Sequence, residues 1–166
     1  MCIRDSTNGD GWNQAFCEFD LNGNLLQKWS TQGTGIQLDS REYVSDLAFE
    51  QTSLNKTQLY VLGTQNNANT LDATVSRYVL SQLNAWQLDV SFGTNQNGTS
   101  ALGLNYPTAG DTDDFGSQLQ ILPGGYILTF GNFSNQSTNE TFFSGVFLAM
   151  FSPDGQLDKS WGINGI

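Results

Sequence analysis

Three carboxylates, Asp111, Asp113 and Asp114, stand within four residues in the stretch AGDTDDFG, beside glycines that let the backbone turn. A hard cation such as Ca²⁺ wants several oxygens from a flexible loop, which makes these residues the leading metal-site candidate. The competing reading is a solvated connection between strands. FDLNGN, residues 19–24, has the D-x-N-x-N spacing of a calcium loop but lacks the downstream bidentate Glu, and its Asn-Gly also signals a hairpin. No other cofactor is expected. The chain contains no histidine, which removes Ser-His-Asp and Cys-His catalysis and every His-ligated metal centre. Carboxylate pairs able to hydrolyse glycosides can converge from separate elements, but no spacing here singles one out. Cys2 and Cys17 are too few for a disulfide framework, and a free Cys is commonly a small buried residue.

The elements that would position such groups follow from composition and pattern. At 166 residues the chain can form one domain or a piece of a repeat array. Six Lys and Arg against sixteen Asp and Glu give a formal charge of −10, an acidic surface that repels phosphate backbones and anionic membranes. The longest apolar run, Val146–Phe151, is far short of the roughly 20 residues that span a bilayer. Eighteen Gly and three Pro, with only 13% charged residues, fit a turn-rich β-protein. The opening MCIRDS has neither the basic start nor the apolar stretch of a signal peptide. It looks like translated adaptor sequence of the kind carried by metagenomic reading frames, so residues 1–6, with Cys2, are expected to be an artefact or disordered.

The chain repeats itself. QLDVSFG and QLDKSWG place Leu88, Asp89, Ser91, Phe92 and Gly93 against Leu157, Asp158, Ser160, Trp161 and Gly162. An older copy, NLLQKWSTQG, keeps Leu25, Trp29 and Gly33 but has lost the Asp and Ser. Upstream, AFCEF, TVSRY and FLAMF align, each followed by a turn. QLYVLG and GYILTFG align on Gly63 and Gly131, and the alternating runs VSDLAF and SQLQIL precede them. Short runs that alternate apolar with polar, bounded by Gly, Asn or Asp, read as strands. Asn22-Gly23, Asp154-Gly155 and Gly124-Gly125 are hairpin signals, the first two of the type I′ kind, which needs positive φ at both central residues. About four short antiparallel strands per repeat, with no helical stripe, are the signature of β-propeller blades. Phe92 and Trp161 are then packing anchors. The Asp-x-Ser before each serves a tight turn, and the glycines supply conformations closed to larger residues.

With these landmarks the chain resembles the delta-60 repeat, a bacterial β-propeller-like repeat of about sixty residues. SQLQILPGGYILTFG followed by FLAMFSPDGQLDKSWGING matches its pattern at almost every landmark, and Ser76-Arg77-Tyr78 with LDVSFG carries the match in the middle repeat. Trp161 in place of Phe, Met150 in place of Arg, and two extra residues between Gly93 and Gly98 are departures. The resemblance implies an all-β fold of four-stranded antiparallel blades in tandem, a partial propeller of about two blades plus a leading hairpin. Residues 7–35 would end a preceding blade, while 36–98 and 99–166 would form one blade each. It also implies a secreted or envelope-associated bacterial protein with no catalytic residues to carry over.

The expected function is accordingly that of a non-catalytic binding scaffold. Its partners would be the remaining blades of a longer chain, of which this sequence reads as a fragment, with glycan or protein as external ligands. The alternative is part of a propeller-fold hydrolase or lyase using Asp or Glu with Tyr. Sequons at Asn55, Asn97, Asn132, Asn135 and Asn139 mark exposed loops.

Overall fold

A computed structural model of the chain describes residues 2–5, 13–19, 21–28, 43–53, 56–67, 70–80, 86–106, 110–134 and 144–166. Every regular element among them is a β-strand, and every strand pairing is antiparallel. No helix among the described residues is long and apolar enough to cross a membrane.

The central sheet is built from β4 (Tyr43–Ser53), β5 (Lys56–Asn67) and β6 (Thr70–Leu80) in sequence order. Its far edge is shared by two short strands on the same side of β6. β7 (Trp86–Leu88) pairs with Tyr78–Leu80, and β8 (Thr99–Leu102) pairs with Ala73–Ser76. The expected single fourth strand is therefore broken, with residues 89–98 looping out between its halves. The boundary drawn at 98/99 separates that loop from β8, which stays on the first sheet. β9 (Asn105–Tyr106) and β10 (Gly110–Asp111) form a small ribbon leading onward.

The second sheet has three strands, β11 (Asp113–Ile121), β12 (Ile127–Ser134) and β13 (Ser144–Phe151). In place of a fourth strand it has a single bridge from Phe151 to Leu157. That bridge matches Tyr78 paired with Leu88 in the first sheet. The register matches elsewhere as well. Val44, Gly63 and Thr74 stand in line across the first sheet, as Gly116, Gly131 and Phe147 do across the second. The first strand of each sheet then shifts register by one residue, between Val44 and Asp46 and between Gly116 and Gln118. Such a bulge bends the strand and raises its twist.

At the N-terminal end, β2 (Asn13–Phe19) and β3 (Leu25–Lys28) form the expected hairpin around Gly23, whose φ is +83°. Within residues 1–6, read as an artefact or disordered, Cys2–Asp5 form β1, paired with Asn13–Phe16. The physical reason is the open edge of β2, whose free amide and carbonyl groups accept an extended segment. Trp29 and Gly33 of the oldest motif copy lie outside the described residues, as do the side chains of Cys2 and Cys17.

The hairpin turns differ from the type I′ expectation. In Ser152-Pro153-Asp154-Gly155 only the glycine has positive φ, at +84°. Pro153 cannot supply positive φ, so the chain closes through Gly155 N–H to Ser152 O (2.8 Å) and Ser152 N–H to Gln156 O (2.8 Å). This is the longer hairpin in which a tight turn is followed by a left-handed glycine. Leu122 to Tyr126 closes in the same pattern, through Gly125 N–H to Leu122 O (3.0 Å) and Leu122 N–H to Tyr126 O (2.8 Å).

The main core lies between the two sheets. The first sheet contributes Tyr60, Leu62, Val75, Phe92, Leu102 and Leu104, and the second contributes Leu119, Ile127, Phe133, Phe147, Ala149 and Phe151. A smaller core of Leu59, Val61 and Tyr78 occupies the other face of the first sheet. Alternation along each strand fixes which residues go where, so the front of the first sheet packs on the back of the second. The approach is close at Gly116, where a Cβ would come within 2.6 Å of the Leu62 side chain.

Candidate functional site

The densest polar constellation among the described residues sits where the two sheets meet, and Arg77 is its centre. β6 sets Arg77 directly opposite Tyr60 of β5, so both side chains emerge from the front of the first sheet. The guanidinium donates from Nε to Asp89 Oδ2 (2.9 Å), pairs through Nη2 with the same oxygen (2.9 Å), and donates from Nη1 to the Pro153 carbonyl (2.6 Å). It also lies 4.6 Å from the centre of the Phe92 ring, a cation–π contact. Phe92 in turn meets Tyr60 edge-on, with ring centres 6.1 Å apart.

The loop that carries Asp89 and Phe92 is closed by its own sequence. Asp89 Oδ1 accepts from the Ser91 amide (3.1 Å) and the Ser91 hydroxyl (2.6 Å), and the Phe92 amide donates to Asp89 O (2.9 Å). Asp89 N–H to Arg77 O (2.8 Å) and Arg77 N–H to Gly98 O (3.0 Å) pin both ends of the loop to one residue of β6. Burial works against charge on Asp89. The Ser91 hydrogen bonds and the Arg77 guanidinium outweigh it, so the carboxyl sits below its ordinary value.

The second copy of the motif closes in the same way. Asp158 Oδ1 accepts from the Ser160 amide (3.1 Å) and hydroxyl (2.6 Å), and Trp161 N–H donates to Asp158 O (3.0 Å). Asp158 N–H to Met150 O (2.8 Å) and Met150 N–H to Gly165 O (3.0 Å) repeat the two pins, with Met150 in the place of Arg77. The environments differ. Phe92 is fully buried, whereas Trp161 is half-buried. Leu88 and Leu157 each lie against the last glycine of their loop, where a Cβ on Gly98 or Gly165 would collide with them. Gly93 and Gly162 both have positive φ, and Gly63 and Gly131 are buried mid-strand.

What buries Phe92 is the Pro-Asp-Gly turn of the second sheet. A Cβ on Gly155 would lie 2.7 Å from Phe92 Cζ and 2.8 Å from the Gly93 amide nitrogen, so this turn fits only as glycine. Gly93 N–H donates to Asp154 O (2.9 Å), Gln156 Nε2 donates to Gly93 O (3.1 Å), and the Ser100 hydroxyl donates to Gly155 O. Carboxylates tie the sheets together further along. Asp46 Oδ2 accepts the Leu119 amide (2.8 Å), and Asp113 Oδ1 accepts the Leu71 amide (2.9 Å).

Of the candidate metal ligands, the structure describes the side chains of Asp113 and Asp114. Asp113 and Asp114 are consecutive in β11 and face opposite ways. Asp114 is fully buried and accepts from Leu104 N–H (2.7 Å) and the Thr112 hydroxyl (2.8 Å). Asp111 lies in β10 across from Asn105, and its side chain falls outside the described residues. Among the described residues no group of three or more His, Cys, Asp or Glu side chains converges as a metal site would require.

Tyr60 is the other titratable group of note. Its hydroxyl is 3.1 Å from Glu50 Oε2 and 3.0 Å from Gln58 Oε1. Burial pushes its pKa up to about 12, with Arg77 opposing and Glu50 adding to the shift. The phenol is 1% exposed and bonds within the protein.

Arg77 could have been singled out from the sequence, because a cation inside a strand of buried residues must be paired. Its carbonyl partner in Pro153, and the roles of Asp46 and Ser100, have no local signal. Comparison of the chain with protein-family models, curated proteins and solved structures finds no match.

Proposed function

We propose that this chain is a stretch of delta-60-type repeats forming neighbouring blades of a β-propeller-like scaffold, and that the scaffold is a non-catalytic binding module for glycan or protein at a bacterial surface or in the cell envelope. The observation that carries this reading is the duplicated turn. Two copies of Leu-Asp-x-Ser-aromatic-Gly are closed by the same hydrogen bonds at the same register of two sheets. A residue used identically in two places is scaffold, and Arg77, Asp89, Ser91 and Gln156 at the junction are each engaged with the protein itself. For the hydrolase or lyase alternative, one pairing of a phenol with an acid among the described residues is Tyr60 with Glu50, and that phenol is 1% exposed.

The test is a pull-down of the full chain on insoluble chitin, cellulose and peptidoglycan, with release of reducing ends and of unsaturated uronate followed in parallel on soluble glycans. Retention on at least one polymer without turnover is expected. Turnover that disappears in Tyr60→Phe or Glu50→Gln would establish the enzyme reading instead, and failure to be retained on any polymer would end the glycan-binding one.

A further inference from the structure

The two sheets are stacked in one direction, and the matched registers allow their faces to be compared residue by residue. On the front of the first sheet, Tyr60 pairs with Arg77 and Leu62 with Val75. The corresponding pairs on the second sheet are Leu128 with Met150 and Phe130 with Leu148. In the first sheet these positions are sealed by the second sheet: Tyr60, Leu62 and Val75 are each 1% exposed. In the second sheet Met150 is also buried, at 8% exposure, and Leu128 is half-buried, but the two positions matching Leu62 and Val75 are open. Phe130 is 39% exposed, Leu148 45%, and the neighbouring Val146 69%. Apolar side chains grouped on one sheet face in this way mark an interaction surface.

We propose that the front of the second sheet is a docking surface for a further antiparallel sheet of this same repeat, seated by its back face with its Pro-Asp-Gly turn on Trp161. The inference rests on the repeat reading above and names the partner that reading requires. Three observations fix the occupant. The equivalent front face in this chain is covered by the back of such a sheet. The aromatic that receives the turn, Phe92 in the first sheet, has its counterpart Trp161 in place on an identically closed loop. A second copy of the chain cannot offer the matching back face of its first sheet, because Leu59 (0% exposed), Val61 (5%) and Tyr78 (5%) on that face are already buried.

Met150 for Arg77 changes how the seat is held. In the first junction a guanidinium grips the carbonyl of the arriving turn. In the second a thioether stands there, so the seat depends on apolar contact by Leu128, Phe130, Val146 and Leu148. A charge placed on this face is therefore more damaging to docking than to the fold of the chain itself.

The experiment extends the full chain by a copy of its own residues 100–166 directly after Ile166, which keeps the spacing because Gly165 occupies the place of Gly98. The extended chain should melt at least about 5 °C higher than the original. It should also bind a hydrophobic dye such as ANS about twofold less per molecule or lower. Leu148→Lys should leave the melting temperature of the original chain within about 2 °C and abolish the gain in the extended one. An extended chain that melts no higher, keeps its dye binding or aggregates overturns the proposal. So does an original chain that sediments as a dimer and becomes monomeric in Leu148→Lys, since the occupant is then a second copy. Retention on glycan is read independently, so a failed extension and a failed scaffold function are told apart.

Discussion

Replacing Phe92 with alanine should cost about 3–5 kcal/mol of folding stability, the range for deleting a fully buried aromatic. The ring is 0% exposed and holds four things together: the Tyr60 ring, the Arg77 guanidinium, the left-handed Gly155 turn and the core between the sheets. Collapse into the cavity is hindered, because the Gly155 turn is also fixed by the Gly93 amide, which donates to Asp154 O, and by the Ser100 hydroxyl, which donates to Gly155 O. The void therefore stays largely open, and its contacts are lost outright. The same truncation at Trp161, which is half-buried on an equivalent loop, should cost less than half as much. Urea unfolding of both variants decides the matter. Equal losses, or a midpoint unchanged by Phe92→Ala, would remove Phe92 from its role at the junction.

Arg77→Met should cost about 2–3 kcal/mol, although methionine is what the chain itself carries at the matching position of the second sheet. A hydrogen bond to a charged group contributes about 1.5–3 kcal/mol net, and a buried carbonyl left unpaired costs a further share. Arg77 serves both Asp89 and the Pro153 carbonyl. Side-chain exposures of 10% for Arg77 and 14% for Asp89 leave some water access, which keeps the loss below that for a fully sealed pair. The variant should also change the acid response. Asp89 titrates below its ordinary value of 3.8 in the folded protein, so in acid the unfolded chain binds more protons than the folded one. Stability from this group is thus present above the unfolded pKa and is lost as pH falls through the folded one. Without Arg77 that slope should flatten while the Ser91 hydrogen bonds keep part of it. Melting curves across the acid range test both points, and a loss within about 0.5 kcal/mol of zero would show the guanidinium to be an ornament of the surface.

Much of the architecture was legible in the sequence because its signals are local. Strand alternation, Pro-Asp-Gly and Pro-Gly-Gly turns, and the duplicated LDxS loop each read out over a few residues. The all-β antiparallel fold followed from them. The broken fourth strand did not, because nothing in QLDVSFG says that the chain will return to the same edge of β6 after looping out. The turn type at Asp154-Gly155 was misread because Pro153 was not allowed to override the dipeptide. Asp111, Asp113 and Asp114 read as a cluster by sequence spacing alone, and that spacing does not say that Asp113 and Asp114 leave their strand on opposite faces. The junction was the least visible part. Arg77 and Pro153 are 76 positions apart, and only the fold brings them together.

That separation bears on the order of assembly. Most pairings within each sheet join strands that are neighbours in sequence, with β8 on β6 the exception. The bonds between the sheets close long loops: Leu119 to Asp46 spans 73 positions and Ser100 to Gly155 spans 55. Loop entropy has to be met before such contacts give any return, so they belong to the late part of folding. Interactions formed after the barrier govern how fast a protein comes apart more than how fast it forms. The guanidinium at Arg77 then acts as a latch on lifetime: in stopped-flow chevrons its loss should steepen escape from the native state and leave refolding nearly untouched, with the individual hairpin stacks outlasting their union.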